Sequence, residues 1–528
     1  MKYRNFSIEI LRFPFHKKKN IARIWFGLLT VFLTAIGSAA NEGVRQIESG
    51  EAKQLVKQAE KLTRKGKLDE AEKTFRGVIE RSPKESRAKL GLSFVLLKQR
   101  QLIEAYDLSF EVARAEPKNS YAFAVLGAIM LNAGNFREAK ISYFNALKLN
   151  NREALAWSGL GMLDFYENRI AQGLESLREA VYLEPQEPDF IYALAQVAAR
   201  AESYKEAADA YKHFLRISPQ TDVERRDRIK GLINFLQFLG EQRSLYKADG
   251  AKQTIVPIRL VNDRPIIQIK LQKTGEPLNF VLDTGSGISV ISEETAARLN
   301  IKPITRGGMA RGIGGDGKFE IVYGFLPIIH IGDVKIKHVP IYIRKFHTRN
   351  ERIDGYIGLS LISKFLTTID YGASTFTLVD QQSVKKDSAE NQMPSLPLRL
   401  TSSGFLSGEV ELEGMTVPLN FIVDTGASVS VISDNLASTK EISPFIKTEK
   451  MRVIGAAGIT ENVPSFLLPR ISFGEHSRQS ITAIALDLDL INETSGFEQA
   501  GILGGNFLKN YRLTFDFLNS KVVFVPIK

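Results

Sequence analysis

The sequence predicts a multidomain chain, a helical solenoid in its first half and strand-rich lobes in its second. Three observations carry that expectation. Small residues and prolines recur every 34 positions over residues 50–240, and a period of that length marks stacked repeat units. Beyond residue 254 one strand-like phrase occurs twice, as Phe280-Val281-Leu282-Asp283-Thr284-Gly285-Ser286 and as Phe421-Ile422-Val423-Asp424-Thr425-Gly426-Ala427. Ahead of both lies an apolar run over 24–40 behind a cationic flank.

The N-terminal run comes first in the chain and sets the compartment. Lys17-Lys18-Lys19 and Arg23 precede it, and it ends Gly37-Ser38-Ala39-Ala40, the pattern of a secretory signal with a small-residue cleavage site. It is also long enough to span a bilayer, and its cationic flank places the remainder outside the cytoplasm in either case. The leading segment 1–20 is longer than most signal n-regions, which keeps an uncleaved anchor open. Residues 1–40 are therefore expected to be a signal peptide or an N-terminal membrane anchor.

Composition is read after that segment is set aside. The first forty residues carry seven Lys or Arg against one Glu, six of the net +11, and the +5 left over nearly five hundred residues is mild. No nucleic-acid partner is expected from it. The chain has no Cys and 6 His. There is no thiol nucleophile, no Cys to acylate and no His/Cys/acid cluster at ligand spacing, so neither a metal nor a cofactor is expected. His330 and His338 read as surface or core residues. An exported protein without disulfides must rest on its own cores. With a repeat domain, that points to a bacterial periplasm, the chain being released or tethered by residues 24–40.

The repeat columns come next. Pro83, Pro117, Pro185 and Pro219 share one register, with Asn151 in the remaining place. Ala71, Ala105, Ala139, Gly173 and Ala207 form a second column, Ser93, Gly127, Gly161 and Ala195 a third, and Phe75, Tyr143, Leu177 and Tyr211 a bulky one. This pattern resembles tetratricopeptide repeats. Small residues let paired helices cross closely, and Pro ends the second helix of each unit. About five repeats fit between residues 50 and 222. The stretch 223–239, with Ile229, Leu232, Ile233, Phe235, Leu236 and Leu239 at helical spacing, is expected to cap the open end of the solenoid. The resemblance implies a groove for a protein partner; a spacer or an oligomerisation element is the bland alternative. Trp157 reads as a core residue.

One Asp-Thr-Gly would arise by chance in about one chain in ten of this length. The second copy, in the same apolar frame, removes that explanation. Both copies continue into Ser-Val-Ile-Ser, at 289–292 and 430–433. Gly355-Tyr356-Ile357-Gly358 and Gly501-Ile502-Leu503-Gly504 follow at similar distances, and Phe365-Leu366-Thr367-Thr368-Ile369-Asp370-Tyr371 parallels Tyr511-Arg512-Leu513-Thr514-Phe515-Asp516-Phe517. A whole domain is repeated, as lobes over 254–380 and 398–528. The segment 381–397, rich in Gln, Ser, Lys and Pro, reads as the linker. Gly285 and Gly426 allow a sharp turn and the close approach of a second loop.

These residues resemble the aspartic peptidases of the retropepsin and pepsin clan. The resemblance covers residues 254–528 and implies two all-β lobes behind the all-α tetratricopeptide solenoid. It implies Asp283 and Asp424 as the catalytic pair. Thr284, Gly285, Ser286, Thr425, Gly426 and Ala427 would support their loops, and Ile357, Gly358, Leu503 and Gly504 would pack beneath. The Gly-rich stretches holding Gly312, Gly314 and Gly315, and Gly455 and Gly458, read as hairpin tips, which the resemblance makes substrate-covering flaps. Neither tip carries Tyr, which favours two retropepsin-like flaps over one pepsin-like flap.

Two close carboxylates hold one proton between them, so one can activate water while the other donates to a scissile carbonyl. The expected function is an exported aspartic endopeptidase acting on a protein or peptide substrate. The alternatives are a periplasmic scaffold that binds peptides without cleaving them, or an enzyme active only as a homodimer.

Overall fold

The computed structural model describes residues 49–527 apart from 243, 273, 348–350 and 385–393, so the expectations for residues 1–40 lie outside it. Among the described residues no helix is long and apolar enough to cross a membrane. The chain divides into two compact units, residues 49–63 with 68–112, and residues 64–67 with 113–527.

The first unit is built from α1 (Ser49–Arg64), α2 (Leu68–Arg81), α3 (Ser86–Lys98) and α4 (Leu102–Ala115). Ala52, Val56 and Ala59 on α1 and Ala71, Phe75 and Val78 on α2 are buried at helical spacing, the single apolar stripe of an amphipathic helix. A side chain at Gly91 would run into the ring of Phe75, so this small position is what lets α3 cross α2 closely.

The second unit opens with three more helix pairs. They are α5 (Ser120–Asn132) with α6 (Phe136–Leu149), α7 (Ala154–Tyr166) with α8 (Ile170–Leu183), and α9 (Pro188–Arg200) with α10 (Tyr204–Ile217). The first helix of each pair is covered nearly all round; on α5 every residue from Val125 to Leu131 is buried. Gly161 on α7 faces Leu177 and the Gly173 carbonyl on α8, where a Cβ would come within 3.0 Å of that oxygen. The turns inside the pairs hold another regularity. Gly66, Arg100, Gly134, Asn168 and Glu202, each 34 residues from the next, all take positive φ, between 59° and 79°. This column is silent in the sequence because Arg, Asn and Glu do not announce a left-handed turn as Gly does.

The stretch expected as a cap forms two helices, α11 (Val223–Arg228) and α12 (Leu232–Gly240), broken at Gly231 with φ 75°. It does more than close a solenoid. Phe235 and Leu239 enter the core of the first β lobe, with the Phe235 ring 4.6 Å from that of Tyr323 and Phe238 5.2 Å from Phe325.

Two β lobes follow, with one topology. In the first, strands run in the order Arg259–Val261, Arg264–Ile269, Leu278–Leu282, Gly355–Ile357, Ser289–Ser292, Val334–Arg344, Lys318–Ile331, Thr305–Arg311. In the second the order is Arg399–Leu400, Leu406–Leu412, Leu419–Val423, Gly501–Leu503, Ser430–Ser433, His476–Leu486, Ile459–Phe473, Ile446–Ile454. Lys247–Gly250, ahead of the expected start at 254, adds a strand beside Val334–Arg344.

A six-stranded sheet joins the lobes. Gln253–Pro257, Thr375–Asp380 and Phe365–Asp370 come from the first, and Tyr511–Asp516, Lys521–Pro526 and Ser395–Pro397 complete it. Its centre pairs Thr368 with Thr514, hydroxyl to hydroxyl at 3.1 Å. The end of the expected linker is thus itself a strand, Ser395–Pro397 against Lys521–Pro526. Because the two lobes share this ladder, a single chain holds them face to face.

Candidate active site

Each Asp-Thr-Gly begins where a buried strand ends. Leu278–Leu282 and Leu419–Val423 are flanked in parallel by Gly355–Ile357 and Gly501–Leu503. The ladder runs one residue further, as Asp283 N donates to Ile357 O and Asp424 N to Leu503 O, both at 3.0 Å. Gly358 and Gly504 donate to the Ser289 and Ser430 hydroxyls at 3.1 Å, and Leu359 N and Gly505 N reach back to Ser286 O and Ala427 O at 2.8 and 2.7 Å. Both loops are therefore fixed from below. The serine hydroxyls lie inside the repeated Ser-Val-Ile-Ser, whose doubling was visible although its role was not.

The two loops lock onto each other through their threonines. Thr284 N donates to Thr425 Oγ1 at 3.2 Å and Thr425 N to Thr284 Oγ1 at 3.0 Å. Thr284 Oγ1 donates to Val423 O and Thr425 Oγ1 to Leu282 O, each at 2.7 Å. Both side chains are fully buried. Such reciprocal bonds, with no water to compete, fix the spacing of what lies beside them.

Beside them lie the carboxylates. A Cβ on Gly285 would overlap the Asp424 carboxyl, and one on Gly426 would lie 2.7 Å from Asp283 Cγ. Only glycine allows the loops this approach. Asp283 Oδ1 accepts from Gly285 N at 2.9 Å, and Asp424 Oδ1 from Gly426 N at 2.7 Å and Ala427 N at 3.2 Å.

Burial pushes the Asp283 carboxyl well above the usual carboxylate range, and the charge and hydrogen bond of Asp424 push it further. Burial raises Asp424 too, opposed by the Gly426 N–H, by a hydrogen bond from Asp283 and by the Ala427 N–H. The two carboxyls are thus raised together as a coupled pair that favours sharing one proton, while the amides of residues 285, 426 and 427 favour the ionised form.

The raised value of Asp283 predicts a stability change. With its folded value raised, Asp283 contributes stability fully only below its unfolded value, in the ordinary aspartate range, and loses it as pH rises through the folded one. Asp283→Asn carries no charge to bury, so its melting temperature relative to wild type should climb from pH 4 to pH 8. An offset independent of pH would show that Asp283 titrates normally.

The Gly-rich tips meet over one another. Residues 312–317 join strands Thr305–Arg311 and Lys318–Ile331, closed by Gly312 N to Gly317 O at 3.1 Å; Gly455 N bonds Gly458 O at 2.8 Å in the second tip. Ala457 N donates to Ile313 O at 2.9 Å across the pair. Gly314 and Gly315 take φ of 90° and 56°, and Gly458 takes 151°. Side chains at Gly314 or Gly455 would overlap the carbonyls of Gly458 or Ile313, so the tips interlock backbone to backbone.

The first hairpin is also held from outside by the helical domain. Glu224 on α11 pairs with Arg311 and, at 3.2 Å, with Lys318, while Gly308 packs on the Arg228 and Lys230 carbonyls. A groove of about 920 Å³ runs along the second-lobe side, lined among others by Ile313, Val463, Phe466, Leu486 and Leu490.

Residues 267–361 and 408–507 both match the family model described as Aspartyl protease, and residues 159–221 one described as Tetratricopeptide repeat. The two lobes are thus aspartyl-protease-like, and the helical domain ahead of them is tetratricopeptide-like. The matched residues fall in the two lobes joined by the six-stranded sheet. Among curated proteins, the anaphase-promoting complex subunit 3 of Schizosaccharomyces pombe is 24% identical over 135 residues, 26% of this chain and 20% of that protein. The BBSome complex member BBS4 homolog of Drosophila melanogaster is 25% identical over 166 residues, 30% of this chain and 34% of that one. The chain therefore spans well under half the length of these relatives. Among solved structures, a thermophilic tetratricopeptide protein of Thermus thermophilus is 20% identical, covering 35% of this chain and 99% of its own with a TM-score of 0.31. For PilF of Pseudomonas aeruginosa the values are 18%, 37%, 86% and 0.28.

Proposed function

We propose that this chain is an exported aspartic endopeptidase that recruits a protein substrate or partner through its helical repeats. One observation carries the reading: an aspartate pair brought together within one chain by reciprocal threonine bonds. Ionised Asp424 would take a proton from a water held between the carboxyls, and Asp283 would donate its proton to the oxygen of the scissile carbonyl. The resulting gem-diol would collapse as Asp424 passes its proton to the departing nitrogen and Asp283 takes one from a gem-diol hydroxyl, releasing the amine and a carboxyl product and restoring the pair. An extended peptide would lie under the interlocked tips, which must part to admit it.

The helical domain suits recruitment because it touches the first hairpin directly. A protein held there is already near the cleft, and its effective concentration rises accordingly. The cationic and then apolar N-terminal run supports export.

The test is cleavage of a diverse peptide library by the full-length protein across pH. Cuts within peptides, with a bell-shaped pH profile, are expected. Peptide binding without cleavage at any pH would overturn the reading in favour of a scaffold. Specific activity that falls on dilution would point to a dyad shared between two chains.

A further inference from the structure

The two sides of the cleft are not chemically equivalent, although they come from one repeated unit. Strand Ser289–Ser292, which follows the first catalytic loop, pairs in parallel with Val334–Arg344, so that Ser292 stands opposite Arg344. In the second lobe the same register sets Ser433 opposite Leu486. The residue ahead of each loop-packing pair differs likewise, Tyr356 in the first lobe and Ile502 in the second. Where the second lobe carries Leu486, which lines the groove, the first carries Arg344.

Arg344 is held in place with care. Its guanidinium lies over three rings, Phe319 of the first hairpin at 5.5 Å, Phe346 at 5.0 Å and Tyr356 at 5.6 Å. Its Nη1 donates at 2.9 Å to the carbonyl of Ala456, in the tip of the second hairpin. It therefore sits beneath the crossing of the tips, close enough to the dyad for its charge to favour ionised Asp283. Among the described residues no carboxylate forms an ion pair with it, and burial disfavours its charge. An enclosed guanidinium with three aromatic faces and a single carbonyl bond has donors to spare. A carboxylate accepting two of them would compensate its desolvation, and the planar fork suits that geometry.

Resting on the endopeptidase reading, we infer that Arg344 selects substrates with an acidic side chain in the first-lobe half of the cleft, opposite apolar residues in the second-lobe half. The aromatic faces fix the plane of the fork, and the Ala456 bond couples its occupancy to the position of the second tip. Arg344 is here a specificity-determining residue, distinct from the pair that performs the chemistry.

The experiment compares matched peptides carrying Glu or Gln, moved one position at a time along a cleaved sequence. Wild type should prefer Glu at one position by about tenfold or more in kcat/KM. In Arg344→Gln that ratio should collapse toward one, and Arg344→Lys should restore only part of it. Affinity of the same peptides for Asp424→Asn, which binds without turnover, should show the same preference and supplies a readout independent of catalysis. If wild type cleaves with no preference for Glu anywhere, the inference falls and the endopeptidase reading stands. If nothing is cleaved yet Glu peptides bind better in an Arg344-dependent way, the catalytic reading falls and the selectivity stands. A uniform loss for Glu and Gln peptides alike in Arg344→Gln would overturn the inference, since a guanidinium acting only on the tips or on Asp283 would do that.

Discussion

Asp283→Asn and Asp424→Asn should each lower kcat/KM by about 10³-fold or more, with no change in fold. The size follows from what each side chain does. Asn at 424 cannot take a proton from water, and Asn at 283 cannot give one to the carbonyl oxygen; loss of a positioned acid or base costs about 10²–10⁴-fold. Because the groups work as one coupled unit, the double variant should fall little further than either single one. The loops should survive, since Gly285 N, Gly426 N and Ala427 N can bond an amide oxygen as they do a carboxylate. The pH profile sharpens the test. Burial raises both groups, so both limbs of the bell should lie above the ordinary aspartate range. The acid limb marks protonation of the ionised partner, and the alkaline limb marks loss of the shared proton. Single-turnover cleavage with circular dichroism on the same samples is the check. Near-wild-type turnover in either variant would remove the dyad from the mechanism.

What the sequence disclosed was what repeats or what clusters. The Pro and Ala columns were legible because each helix pair must solve the same packing problem, and Ala71, Ala105, Ala139 and Ala207 are all fully buried. The Asp-Thr-Gly phrases were legible because acid, hydroxyl and glycine lie side by side in the chain. Contacts between distant segments left no such trace. Nothing around Phe235 told a helix that caps a solenoid from one that enters a β core beside Tyr323. Arg344 is a single residue whose counterpart is Leu486, so the comparison of the two lobes that exposed Asp283 and Asp424 concealed it. The strand Ser395–Pro397 looks like linker in the sequence because Pro and Ser signal turns, while its pairing with Lys521–Pro526 is set by the far end of the chain.

Thr425→Val should lower both stability and turnover, and the two losses share one cause. Valine has the shape of threonine and keeps the buried contacts, so the substitution removes only the hydroxyl. That hydroxyl accepts from Thr284 N and donates to Leu282 O, at a site with no measurable exposure. A buried donor and a buried acceptor are left without partners, at about 1–3 kcal/mol each. The partner hydroxyl of Thr284 still holds Thr425 N and Val423 O, so the loops stay together but lose half of their lock. Since Gly285 packs directly on the Asp424 carboxyl, slack there passes straight into the spacing of the pair, where a shift of about 1 Å can cost roughly 10²-fold in rate. Thr425→Ser keeps the hydroxyl and should recover most of both. Thermal melts and kcat measured on Thr425→Val, Thr284→Val and the two serine variants decide the matter. If a valine variant melted lower but turned over normally, the lock would serve folding alone and the position of the carboxylates would be set by the amides of residues 285, 426 and 427.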